Sequence, residues 1–308
     1  MAGTITIRMG GYGPPTTSFS RALKHVGSRL EAAFGDRVEV RYVWNIMDFG
    51  YRAEDILWLV EDGILTLGYQ SMNYLTGRIP ELGVLDLPFL FPTTGAARAA
   101  MDGRLGAAVA ARIEARAGCR IVGFFEDGFR HLSNRLRPVA EPADLAGMRI
   151  RVLPSRVHER TFELLGAVPL RMDLTEAIAM VTGGALDAQE NPLTNTVTYG
   201  VHRFHRFHTL TGHFYLSRPI FVHRASFDAW PADVAAAVRD AVGEAVALQR
   251  RDHDGEEEAR AAIAAAGGEI TAPDAAGREA FAAATRSVWE EARAQYGEDL
   301  VALAAGAA

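Results

Sequence analysis

Cysteine is nearly absent from the sequence, and this excludes several classes of site. The 308 residues contain one cysteine, Cys119, so no internal disulfide can form and no CxxC pair can bind zinc or carry redox chemistry. The GxGxxG and GxxxxGK(S/T) loops that cradle nucleotide phosphates are missing, as is the GxSxG of serine hydrolases. The sequence therefore predicts no catalytic residues, no metal and no cofactor.

Long apolar runs and basic patches are missing too. No stretch reaches the roughly 20 apolar residues of a membrane-spanning helix, and no basic start with an apolar core, typical of a signal peptide, precedes the first strand. The chain has 32 basic and 38 acidic residues, for a net charge of −6. The basic residues are scattered and not interleaved with aromatic ones, so we expect no nucleic-acid partner.

What is present is a hydrophobic content of 49% and an alternation of strand and helix patterns. Residues 5–9 and 38–43 alternate as strands do, and a helical spacing of apolar residues joins them over 18–34. A helix over 52–62 and a strand over 65–69 follow. This βαβαβ order predicts an α/β fold with a parallel sheet covered by helices, and the length suits about two domains.

A second cycle of the same kind begins near residue 142. It includes a strand over 148–152 and a helix over 156–165, and a nearly unbroken helical pattern follows over 231–266. At 1.5 Å per residue this last helix could reach roughly 50 Å, enough to run across two domains.

The most informative segment lies between residues 145 and 192. It reads LAGMRIRV over 145–152, GAVP over 166–169 and GALDAQENP over 184–192; upstream stand LPF at 87–89 and GFRHLSN at 128–134, and downstream stands TGH at 211–213. These motifs, in this order and spacing, resemble the extracytoplasmic solute receptors of tripartite ATP-independent periplasmic (TRAP) transporters, the DctP family.

The resemblance implies a two-lobed periplasmic-binding-protein fold with a hinge, an inter-lobe cleft and a long helix spanning both lobes. Each lobe would be discontinuous: residues 1–127 with 214–255, and 128–213 with 256–308. It also implies a periplasmic protein whose signal peptide has been removed or replaced. Its partners would be a small organic acid, bound as the cleft closes, and the membrane permease subunits of a TRAP transporter.

Arginine is the residue type best suited to the carboxylate of such an acid, because its planar fork donates two parallel charge-assisted hydrogen bonds. Arg151 lies inside an apolar strand and matches the family arginine that pairs with the ligand carboxylate. Arg130 matches a second pocket arginine, and Asn191 an asparagine that hydrogen-bonds the ligand. Without the resemblance, Arg149 and Arg151 could equally be surface residues of an edge strand.

The remaining candidate ligand residues are Tyr12, Tyr69, Gln70, Leu174 and Phe214. They fall where the family places residues of the cleft, and each could instead be ordinary core packing. Gln70 is neutral where members specific for polyhydroxylated acids often carry an acidic residue. With Leu174, it favours a monocarboxylate or less polar acid over a sugar acid.

Two other functions of the chain stay open. The chain could be a cytoplasmic α/β enzyme acting on a similar acid, or a receptor that serves a membrane kinase as a ligand sensor.

His202, His205 and His208 recur every third residue, a spacing that could indicate a metal site. Arginines separate them and no cysteine is near, so we predict a solvated segment there and not a zinc site.

Overall fold

The computed structural model describes residues 4–252 and 256–307, and within them the chain alternates strands and helices. The strands are β1 (Ile5–Gly10), β2 (Val38–Val43), β3 (Leu67–Tyr69), β4 (Cys119–Asn134), β5 (Arg149–Val152), β6 (Val168–Arg171), β7 (Ala188–Asn191), β8 (Phe207–His223) and β9 (Glu269–Thr271). The helices are α1 (Ser18–Phe34), α2 (Ile56–Glu61), α3 (Thr94–Asp102), α4 (Arg104–Arg116), α5 (Arg156–Leu164), α6 (Leu174–Thr182), α7 (Leu193–Thr198), α8 (Arg224–Ala229), α9 (Ala232–Asp252), α10 (Glu256–Ala265), α11 (Ala275–Ala284), α12 (Arg286–Tyr296) and α13 (Glu298–Gly306).

The chain divides into two compact units. The first contains residues 1–71, 108–126 and 217–254, and the second contains 72–107, 127–216 and 255–308. The strands β4 and β8 each contribute residues to both units. The α/β fold class predicted from the sequence is confirmed.

The first unit is built on parallel pairing, as the βαβ pattern predicts. β1 pairs in parallel with β2 and β3, and β3 pairs antiparallel with the end of β8. The helix α1 packs on β2 and α9. Gly27 permits the close approach to β2, because a Cβ atom there would clash with the Tyr42 hydroxyl.

The second unit has the strand order β4-β7-β5-β6, with β9 on β8. β5 is parallel to both of its neighbours, and β7 is antiparallel to β4. Apolar side chains from β5, α5, β8 and α11 form its core, in which Ile150, Val152, Phe162, Phe214 and Phe281 are all buried. The central strand β5 therefore carries Arg151 through the middle of this unit.

Two sequence-based boundaries differ from the structure. The segment 72–107, assigned from the sequence to the first lobe, belongs to the second unit, because its helical turns at Pro80–Asp86 pack on α5, α12 and α13. The helix predicted over 231–266 is described as α9 and α10, and residues 253–255 between them lie outside the described residues. No helix in the described ranges combines the length and the apolar character that a bilayer crossing requires.

Candidate functional site

Arg151 occupies the centre of β5 and is buried, with 1% of its surface exposed. It stands opposite Leu170 of β6 and Gln189 of β7. Its Nε and Nη2 both donate to the carbonyl oxygen of Met172, at 3.3 and 3.0 Å. The sequence explains this placement, since the apolar neighbours Ile150 and Val152 make the strand a buried one.

The guanidinium of Arg151 has no anionic partner in the part of the chain that the structure describes. No carboxylate oxygen of residues 4–252 or 256–307 lies within 4.0 Å of it, and its Nη1 donates no hydrogen bond there. A buried cation is costly unless it is paired. The end of the fork formed by Nη1 and the second proton of Nη2 is therefore available to an anion.

Asn191 lies on the same face of the sheet as Arg151. Arg151 is in register with Gln189, and Asn191 is two residues further along β7, so all three side chains leave one face. The Asn191 amide donates to the Gln189 side chain at 3.3 Å, and its oxygen accepts from Asn195 at 3.5 Å. These contacts fix the amide in a buried polar row beside the arginine.

Arg130 is held differently. It is buried and bound to Glu190, whose side chain leaves the opposite face of β7 from Asn191. Its Nη1 also donates to Asp127 at 3.1 Å. Burial disfavours the charged form of Glu190, but the Arg130 charge and the interactions with His158 and His213 together outweigh burial and hold the pKa of this carboxyl well below its usual value. Arg130 is thus neutralised within the protein.

Phe214 lies in the apolar core of the second unit. Its ring stacks on His158 with centroids 3.9 Å apart and an angle of 12°. The imidazole of His158 is wholly buried between Asp86, at 3.6 Å, and Glu190, at 3.8 Å. Phe214 therefore packs on the histidine that lies beside the buried Glu190.

Leu174 is the first residue of α6 and is buried. Its backbone N–H donates to the hydroxyl oxygen of Tyr74 at 3.3 Å. Burial raises the pKa of Tyr74, and the charge of Arg151 partly counteracts this effect. Tyr74, which the sequence did not indicate, therefore lies near the buried arginine.

Of the three candidates in the first unit, Tyr12 and Tyr69 contact each other, whereas the Gln70 side chain binds the backbone. Tyr12 and Tyr69 are buried with ring centroids 5.6 Å apart, and the guanidinium carbon of Arg218 lies 5.0 Å from the Tyr12 ring centroid. The side-chain oxygen of Gln70 accepts from Leu57 N, and its amide nitrogen donates to the carbonyl oxygen of Glu54. Gln70 thus ties the end of β3 to the start of α2.

The prediction that the histidines at 202, 205 and 208 form a solvated segment is wrong for two of them. His205 and His208 are each 1% exposed, and burial lowers the pKa of His205 to about 3 and that of His208 to about 4. The reason is that this stretch enters β8, which is buried along most of its length. No group of metal-binding side chains is found among the described residues.

Comparison with known proteins gives the family. The model of "Bacterial extracellular solute-binding protein, family 7" (DctP) matches residues 9–295. The chain belongs to the DctP family of solute-binding proteins. The family is extracytoplasmic; its members bind small organic acids for TRAP transport and work with membrane permease subunits.

Individual relatives support the assignment of this chain to the DctP family. A solute-binding protein of Verminephrobacter eiseniae is 30% identical over 277 residues, covering 90% of this chain and 82% of the relative. The 2,3-diketo-L-gulonate-binding periplasmic protein of Escherichia coli is 30% identical over 192 residues, covering 62% and 58%. The crystal structure of a TRAP periplasmic solute binding protein from Ralstonia eutropha with bound (S)-2-acetolactate has a TM-score of 0.88, 26% identity and 98% coverage of both chains.

Sequence reasoning missed Tyr74 and His158 and the part that Glu190 plays. Tyr74 belongs to a short helical turn, Met72–Leu75, without periodicity, and its partner Leu174 is 100 residues away. Glu190 stands beside Asn191 in the QENP motif, so its position was a usable signal. A buried glutamate requires a cation nearby, and Arg130 was one of the two arginines that the motifs had already indicated.

Proposed function

We propose that this DctP-family protein captures a small organic acid by pairing its carboxylate with Arg151, and that it delivers the acid to the membrane permease of a TRAP transporter. The observation that carries the proposal is the burial of the Arg151 guanidinium without a carboxylate partner in the described part of the chain. An anionic ligand would supply the missing charge.

The comparison of the two buried arginines supports this assignment. Arg130 has Glu190 and Asp127 as counter-ions, whereas among the described residues Arg151 has only the carbonyl of Met172 as its hydrogen-bond acceptor. A backbone carbonyl orients a guanidinium but does not neutralise it. The free end of the fork has the geometry that binds both oxygens of one carboxylate.

The ligands named for relatives fit the same chemistry. 2,3-Diketo-L-gulonate and (S)-2-acetolactate are named for the proteins of Escherichia coli and Ralstonia eutropha, and both are carboxylic acids. Asn191, on the same face as Arg151, would add a neutral amide to the site. Micromolar binding requires about 8 kcal/mol, which a charged pair, a few hydrogen bonds and apolar contacts can supply.

The test is a thermal-shift screen of organic acids, including these two and succinate, followed by calorimetric titration of the best ligand. In Arg151→Gln the ligand charge would be buried without its partner, so we expect a loss of about 2–5 kcal/mol in binding free energy. This corresponds to a rise in Kd of roughly 30-fold to several thousand-fold.

Arg149→Gln is the matched control. Arg149 lies on the same strand, but it is exposed and paired with Asp187 at 3.0 Å, so its removal should change the Kd by about twofold or less. Equal affinity of wild type and Arg151→Gln would refute the assignment of Arg151. Failure of the wild type to bind any acid of the screen would refute the proposed function.

A further inference from the structure

Tyr74 is a partly buried hydroxyl donor close enough to Arg151 to feel its charge. Its hydroxyl oxygen accepts a hydrogen bond from Leu174 N at 3.3 Å, and Arg151 donates to Met172 O at 3.0 Å. These two anchoring atoms are separated by one residue, Asp173. Because consecutive Cα atoms are 3.8 Å apart, the anchoring atoms lie within about 7 Å of each other. The phenol and the guanidinium therefore approach one short segment.

The proton of the Tyr74 hydroxyl has no acceptor within residues 4–252 and 256–307. The only hydrogen bond of this hydroxyl in those ranges is the one it accepts from Leu174. Burial keeps the phenol protonated by raising its pKa, so at neutral pH it is a hydrogen-bond donor. A donor that is partly shielded from water and has no acceptor in the described protein is a candidate to bind a ligand oxygen.

The bonds of Arg151 indicate which ligand oxygen this donor can reach. Nε and one proton of Nη2 are used by Met172, so a carboxylate would bind to the end of the fork, through Nη1 and Nη2. That arrangement gives each carboxylate oxygen its own donor. A further donor near the fork is then best used by an oxygen on the carbon next to the carboxylate.

We propose that Tyr74 selects the ligand: its hydroxyl donates a hydrogen bond to an oxygen on carbon 2 of the bound acid, so that the site prefers 2-oxo and 2-hydroxy acids. This inference rests on the proposed function, because it requires the carboxylate to be held by Arg151. A site built to hydrogen-bond a ligand oxygen discriminates strongly against the analogue that lacks it, since the donor is then left unpaired.

The test uses acids of one carbon skeleton: 2-oxo-3-methylbutanoate, 2-hydroxy-3-methylbutanoate and 3-methylbutanoate, with malate and succinate as a second pair. Kd values are measured by calorimetry for wild type, Tyr74→Phe, Tyr296→Phe and Arg151→Gln. Tyr296 is the matched control, a largely buried tyrosine of the same unit whose pKa is raised to about 12.

We expect wild type to prefer the oxygenated acid of at least one set by about tenfold or more, as one net hydrogen bond provides. Tyr74→Phe should reduce this preference to about twofold and leave the affinity for the unoxygenated acid unchanged, while Tyr296→Phe keeps the preference. A preference that persists in Tyr74→Phe, or an equal loss for all acids, overturns the role of Tyr74.

The outcomes separate this inference from the proposed function. Binding that is lost in Arg151→Gln but is insensitive to Tyr74→Phe contradicts the role of Tyr74 and still supports the proposed function. Wild type that binds no acid of either set or of the wider screen sinks both.

Discussion

Arg130 encloses Glu190 from two sides: its Nη2 donates to the backbone carbonyl at 2.6 Å and to Oε1 at 3.0 Å, and its Nε donates to Oε2. Both side chains are buried, with 2% and 0% of their surface exposed. Such a pair recovers its desolvation cost only when the geometry is good and further hydrogen bonds are present. The pair therefore anchors β4 to β7 and differs in role from Arg151.

Glu190→Gln should destabilise the protein strongly, because it leaves the buried Arg130 with Asp127 as its remaining counter-ion. Breaking a buried ion pair from one side costs about 3–5 kcal/mol. Urea unfolding followed by circular dichroism measures this loss. Glu269→Gln is the control: Glu269 pairs with Arg206 at the surface, and its loss should cost about 1 kcal/mol or less. Similar losses in the two variants would contradict the anchoring role.

The sequence predicts much of this fold where periodicity is clear. β1, β2 and α1 follow from alternation and helical spacing, because each has one buried and one exposed side. β8 was not predicted, because its 17 residues are buried on both faces for most of their length and so show no alternation. β4 passes through Gly128, whose φ is +92°, and this residue interrupts the alternation of the strand.

The candidate site was predictable only in part, for a similar reason. Arg151 was indicated by its motif and by the apolar strand around it. The hydrogen bonds that Arg130 and Gln70 make within the protein depend on partners that sequence spacing does not reveal. Glu190 is 60 residues from Arg130, and Leu57 is 13 residues from Gln70. The roles in ligand binding of Asn191, Leu174, Phe214, Tyr12 and Tyr69 stay predictions.

Gln70→Met tests whether Gln70 serves the fold. Its side chain satisfies Leu57 N and Glu54 O, each at 3.0 Å, and Met has a similar length but neither bond. Leaving a buried backbone group unsatisfied costs about 1–3 kcal/mol, so we expect a loss of this size in urea unfolding. Gln295→Met, at an exposed position, should change stability by about 0.5 kcal/mol or less. A variant with unchanged stability but weakened acid binding would show instead that Gln70 acts on the ligand.

His158 should make stability depend on pH in a direction that can be worked out from its surroundings. Burial disfavours the imidazolium, but the carboxylates of Asp86 and Glu190 outweigh burial and raise the pKa above its usual value of 6.5. The neighbouring His213 carries no competing charge at neutral pH, since burial lowers its pKa. The Arg130 charge is already compensated by Glu190 and Asp127.

The direction of this pH dependence follows from the linkage between proton binding and folding. A group whose pKa is higher in the folded state binds its proton more tightly there, so its stabilisation is complete below the unfolded value near 6.5 and is lost as pH rises through the folded value. We therefore expect the free energy of unfolding of wild type to exceed that of His158→Gln most at pH 5.5–6.5 and progressively less above it. Each unit of pKa shift contributes about 1.4 kcal/mol. Urea unfolding of both proteins from pH 5.5 to 9.5 measures the difference, with the partly exposed His25→Gln as control. A difference that is constant or grows with pH would show that folding does not raise the pKa of His158.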